Sequence, residues 1–167
     1  MVTLTFYVMN LPKVQQKPVI MLKKFMCPKR IYTLVLLVTI AVKIAVRALP
    51  IFKDDMAEIL QKMIDADVLV LASPVYFYSI DAQLKAVIDR TVARWLEVKN
   101  KEFYYITTMA DNEKSSADTT LACFRGYADC VEGAVEKGTV VAGGVYEKGE
   151  IKNHPAMKLA YQMGKNV

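Results

Sequence analysis

Acidic residues are absent from Met1 to Lys53, a stretch holding nine lysines and arginines, and no glycine occurs before Gly126. The early segment therefore lacks both the counter-charges of an ordinary protein surface and the commonest turn residue. Cysteine is scarce. Cys27, Cys123 and Cys130 are too few and too scattered for a disulfide-stapled secreted scaffold. A single histidine, His154, excludes a His-rich metal site, and no metal-ligand set is expected. A reducing cytoplasm is the expected compartment. The longest apolar run, Ile31 to Val42, stops short of the ~20 residues that span a bilayer. It also lies too far from Met1, without a small-residue cleavage site, to serve as a signal peptide.

What is present suits one buried core: 167 residues, 54% of them hydrophobic, exclude disorder over the whole length. The net charge of +5 would point to nucleic acid or a membrane surface if it were spread evenly. It is not: the first third is strongly basic and the remainder is acidic on balance. Neither a nucleic-acid nor a membrane partner is therefore expected.

Beyond Pro50 the pattern is regular. Met56, Ile59, Leu60, Met63 and Ile64 recur at helical spacing, and Asp55 with Glu58 reads as a capping box. Val68 to Ala72 is a continuous apolar run, as in a parallel strand buried on both faces. A second helix is expected to carry Leu84, Val87, Ile88, Thr91 and Trp95 on one side. Phe103 to Thr108 reads as a strand, Leu121, Phe124, Ala128 and Val131 as a third helical stripe, and Thr139 to Val145 as a further strand. Cys123 and Cys130, seven apart, would share a face of that third helix. Asn153 and Pro155 suit the start of a last helix that buries Ala156, Leu159, Ala160 and Met163, with Gly164 placed to end it. Strict alternation of buried strands and amphipathic helices predicts an α/β open parallel sheet with helices on both faces. Its ligand is expected beyond the carboxyl ends of the strands.

One such loop carries chemistry. Ser73-Pro74-Val75-Tyr76-Phe77-Tyr78-Ser79 places three aromatics in a row where the chain leaves the sheet. Aromatic faces and backbone amides of this kind suit a planar heterocycle, while the same rings would equally cap the core or a subunit contact. Gly143-Gly144 after the last strand would let backbone approach a ligand or simply turn the chain.

These residues carry a resemblance. Lys53-Asp54-Asp55-Met56, Ala66-Asp67-Val68, Ser73-Pro74-Val75-Tyr76 and Gln83 to Arg90 are similar to the NADPH-dependent FMN reductase branch of the flavodoxin-like superfamily, which includes iron-sulfur flavoproteins. Lys148 to Lys152 with Pro155-Ala156-Met157 and Gly164-Lys165 resembles that family's carboxyl end. The resemblance runs from about Lys53 to Val167. It implies a flavodoxin-like FMN-binding domain over residues 53–167 in which Ser73, Pro74, Val75, Tyr76, Phe77 and Tyr78 line the isoalloxazine ring. Thr107, Thr108, Met109 and Ala110 would approach its other side. The implied activity transfers electrons from NAD(P)H, with NADPH the named donor, through FMN to a small-molecule acceptor. The flavin carries the chemistry, so no catalytic acid or base is expected from the chain. Trp95 and Arg90 lie where family members often dimerise, which implies a homodimer. A non-catalytic flavodoxin-like module for electron transfer or partner binding is the alternative. NADPH consumption discriminates the two.

Residues 1–52 do not match. The family begins with a strand and a Gly, Ser and Asn/Thr loop that holds the FMN phosphate, so the amino-terminal strand and phosphate loop are atypical or missing and the domain is incomplete. The genetic code offers an explanation. Joining the third base of each codon to the first two of the next forces Gly at Met1-Val2 and permits Asn and Thr at the following pairs. It also permits cysteine at Leu34-Val35, Leu37-Val38, Ile40-Ala41 and Arg47-Ala48, a clustered pattern that resembles this family. The segment to about Pro50 is therefore expected to be an out-of-frame translation. An intact single frame in the parent gene, recurring in relatives, would sink that expectation.

Overall fold

The computed structural model describes residues 54–165 together with the backbone of Val19–Met21. Four strands, β1 (Val19–Met21), β2 (Val68–Pro74), β3 (Glu102–Thr108) and β4 (Val135–Ala142), form one parallel sheet in that order. Helices α1 (Met56–Asp65), α2 (Ala82–Arg90), α3 (Asp118–Ala128) and α4 (Pro155–Lys165) connect and cover it. Val2 to Val8 and Ile31 to Val42, the candidates for an additional strand, lie outside the described residues. The short strand beside β2 comes instead from Val19–Met21.

The sheet separates two apolar clusters, because successive strand side chains point to opposite faces. On one face Leu69, Leu71, Phe103 and Tyr105 pack with Ile59, Leu60 and Met63 of α1, Leu84 of α2, and Leu121 and Phe124 of α3. Aromatic rings dominate here: Tyr105 stacks on Phe124 at 5.4 Å and Tyr127 meets Phe103 edge-on at 6.1 Å. Burial pushes the Tyr105 phenol up to about 12, so it behaves as a neutral core ring. On the other face Val68, Val70, Tyr104, Ile106 and Ala142 meet Ala156 and Ala160 of α4. Small residues spaced by four bring α4 close to the sheet, and the third of them is Gly164, which is buried.

The expected elements are all present, with corrected boundaries. Gly164 does not end α4 but sits within its buried face, and Leu159, expected inside, is 56% exposed. β4 starts four residues before Thr139, because Val135, Glu136 and Lys137 at its start are exposed and form no apolar run, and it stops at Ala142 before Gly143. α2 ends at Arg90 rather than continuing through Trp95. Thr91 bonds back through Oγ1 to the Ile88 carbonyl at 2.7 Å, and Arg94 leaves helical geometry at φ −145°. Trp95 therefore lies on a separate turn, partly exposed. α3 ends at Ala128, so Cys130 occupies the turn beyond it and does not share a helix with Cys123. The Asp55–Glu58 capping box does not form. Asp54 Oδ1 accepts from the Met56 amide at 3.1 Å, and Glu58 pairs with Lys62.

Candidate functional site

Strands β2, β3 and β4 end level: Pro74 lies opposite Thr108, and Thr108 opposite Ala142. Among the described residues β1 pairs with Val68 to Val70, so Pro74 at the end of β2 has β3 as its described neighbour. The loops that follow these strands form one rim.

The loop after β2 is a tight hairpin. Val75 donates its amide to the Thr108 carbonyl at 2.8 Å, which carries sheet pairing one residue beyond the strand. Tyr76 and Ser79 then exchange both backbone bonds, at 2.9 and 3.0 Å. Phe77 and Tyr78, between them, have φ of 50° and 62°, the left-handed pair that a type I′ turn requires. Such turns ordinarily use Asn-Gly, since a left-handed non-glycine residue costs about 1–2 kcal/mol. Burial does not compensate: Phe77 is 101% exposed, Tyr78 61% and Tyr76 50%. Neither the Phe77 nor the Tyr78 amide bonds to another backbone group among the described residues. Three rings are thus exposed beside two amides that have no backbone partner among the described residues.

The base of this loop is closed by a side chain. Ser73 is fully buried; its Oγ donates to the Pro74 carbonyl at 2.7 Å and accepts from the Asp81 amide at 2.8 Å. Asp81 in turn caps α2, its Oδ1 accepting from the Leu84 amide at 2.7 Å. The cap was legible as an Asp immediately before a helical stripe, but its link to Ser73 was not.

The loops after β3 and β4 are built oppositely. Met109 donates to the Ala142 carbonyl, Val145 to that of Met109, and Gly144 to that of Asp111, each at 2.9 Å. A Cβ on Gly143 would stand 2.8 Å from the Asp111 carbonyl, and one on Gly144, at φ 68°, would collide with Asn112 Oδ1. The two glycines therefore admit the neighbouring loop. Asp111 is held below the usual carboxylate range by the Ser116 hydroxyl, at 2.6 Å, and the Glu113 amide, at 3.0 Å.

Of the expected site residues, Tyr76, Phe77, Tyr78 and Ala110 are exposed on the rim, and Pro74 and Val75 are half-buried. Ser73, Thr107, Thr108 and Met109 are buried. Thr107 stands opposite Ser73 across the sheet, its Oγ1 without a partner among the described residues. Asp111 and Asn112, which also shape the rim, carried no motif of their own.

Comparison with known proteins matches residues 37–123 to the family described as NADPH-dependent FMN reductase. That match begins within the basic early segment, ahead of Lys53. An iron-sulfur flavoprotein of Methanocaldococcus jannaschii is 55% identical over 38 residues, a stretch covering 23% of this chain and 20% of that protein's length. A solved structure of the Trp repressor binding protein from Bacillus subtilis superposes with a TM-score of 0.57 at 22% identity, over 67% of this chain and 71% of that one. An NAD(P)H:quinone oxidoreductase from Methanothermobacter marburgensis gives 0.58 at 17% identity, over 73% and 65%. At these identities the structural likenesses speak for the fold.

Proposed function

The chain belongs to the NADPH-dependent FMN reductase family, and from that premise we propose that it is a flavin-dependent oxidoreductase. It passes electrons from NAD(P)H, with NADPH the donor, through FMN to a small acceptor. The observation that supports this reading is the outward aromatic hairpin at the carboxyl edge of the sheet, where open α/β sheets bind their ligands. The residues present fit the ring half of FMN: exposed faces of Tyr76, Phe77 and Tyr78 offer stacking, and the two unbonded amides offer donors to ring carbonyls. The region expected to hold the phosphate lies outside the described residues.

When bound, FMN supplies hydride acceptance and onward electron transfer. The chain's part is to hold the ring at the rim, keep water off one face with the tyrosines, and aim its amides at ring oxygens. No side-chain acid or base is needed for this. Because residues 1–52 contain no glycine-bearing phosphate loop, the cofactor site is incomplete and activity is impaired.

Titrating the full chain with FMN and with lumiflavin, the same ring without ribityl phosphate, tests both points. Both ligands are expected to quench with similar, weak affinity. FMN binding at least about a hundredfold tighter, the scale of two or more charged hydrogen bonds, would show that the early segment supplies a phosphate site. Quenching by neither would overturn the flavin reading. Flavin binding without NADPH consumption would identify the non-catalytic module instead.

A further inference from the structure

The aromatic hairpin has a conformation that its own sequence does not favour. Phe77 and Tyr78 both occupy left-handed backbone space, neither gains burial there, and the turn contains no glycine to relieve the strain. Something outside the turn must hold it. Three constraints act at successive levels. At the tip, Tyr76 and Ser79 are paired through backbone. At the neck, Val75 is tied to Thr108 of β3. At the base, the Ser73 hydroxyl is, among the described residues, the side-chain group that joins the strand before the loop to the helix after it, bonding the Asp81 amide and the Pro74 carbonyl together.

Ser73 is unsuited to contact a ligand directly: it has no exposed surface, and its proton and an acceptor lone pair are both committed inside the loop. Yet it stands near the end of β2, two residues before the loop whose rings face outward. We propose that Ser73 is a positioning residue. Its hydroxyl fixes the separation between the end of β2 and the start of α2, so that the hairpin tip keeps its left-handed form and its rings stay preorganised for a planar ligand. This deepens the flavin reading and rests on it for the identity of that ligand. The hairpin geometry itself does not depend on it.

The decisive comparison uses full-length Ser73→Ala, which leaves the Asp81 amide without its acceptor while keeping the Asp81 carboxylate cap, and Ser73→Thr, which retains a hydroxyl. Amide exchange is followed by mass spectrometry on peptides covering residues 74–81 and 102–108 of the ligand-free protein, and lumiflavin affinity is measured by fluorescence quenching. In Ser73→Ala, exchange across 74–81 is expected to accelerate about tenfold, the effect of one lost buried hydrogen bond, with residues 102–108 unchanged. Lumiflavin affinity falls by a similar factor, and Ser73→Thr recovers both. Unchanged exchange in Ser73→Ala overturns the proposal. So does acceleration that extends equally through 102–108, which would mark general destabilisation, and so does faster local exchange with undiminished lumiflavin affinity. A wild-type protein that protects 74–81, loses that protection in Ser73→Ala and ignores lumiflavin would overturn the flavin reading while leaving the clasp intact.

Discussion

The two halves of the rim face the same backbone problem and solve it differently. Where β4 ends, the chain turns through positive φ at Gly144, and the space of the absent side chain receives Asn112. Where β2 ends, it turns through positive φ at Phe77 and Tyr78 and projects rings into solvent. Glycine removes strain where the loop's task is to pack against another loop. Aromatic residues retain strain where the side chains themselves are on display. The contrast is what sets the β2 loop apart as the proposed recognition element, while the space at Gly143-Gly144 is taken up by Asp111 and Asn112 of the neighbouring loop.

The largest effect should come from closing the space on the packed side. Gly144→Val places a β-branched residue at φ 68° and drives its Cβ into Asn112. A loss of about 2 kcal/mol or more is expected, read as a lower urea midpoint. Retention of wild-type stability would mean that the two loops are not latched. On the displayed side the sign reverses. Phe77→Asn with Tyr78→Gly installs the preferred type I′ pair and sacrifices little buried surface, since Phe77 has none. Stability is expected to rise by about 1 kcal/mol, the relief of left-handed strain less the added glycine entropy, while lumiflavin binding weakens. A double variant that lost stability would show that the rings support the fold.

The same contrast explains what sequence could and could not reveal. Helical stripes such as Met56, Ile59, Leu60 and Met63, and the run Val68 to Ala72, declare themselves because burial on a regular element imposes a period. The position of the aromatic loop follows from the end of that run. Its shape does not, because Phe-Tyr is not a turn signature and the Ser73–Asp81 bond leaves no periodic trace. Likewise Asp111 and Asn112 meet Gly143 and Gly144 across a long sequence separation, through loops with no pattern linking them. The differing boundaries have local causes: Gly164 suits a helix stop but is buried one residue inside the last helix, and the exposed start of β4 leaves no apolar run to mark the strand's beginning. The family match from residue 37 overlaps the stretch assigned to the shifted frame, and the parent gene's sequence would decide between them.

An effect of similar size separates rim from core more finely. Thr107 near the end of β3 and Thr120 in α3 are each fully buried with an Oγ1 that has no partner among the described residues. An unpaired buried hydroxyl opposes folding, and replacing it with a methyl group of similar shape removes that cost. Thr120→Val is therefore expected to raise stability by about 1 kcal/mol, a rise of roughly 2–4 °C in Tm for a chain of this size. Thr107→Val should do the same and leave lumiflavin affinity unchanged, because its side chain has no surface to offer a ligand. If Thr107→Val alone weakened lumiflavin binding, the hydroxyl would have to reach the ligand, and the recognition element would extend from the hairpin into the end of β3.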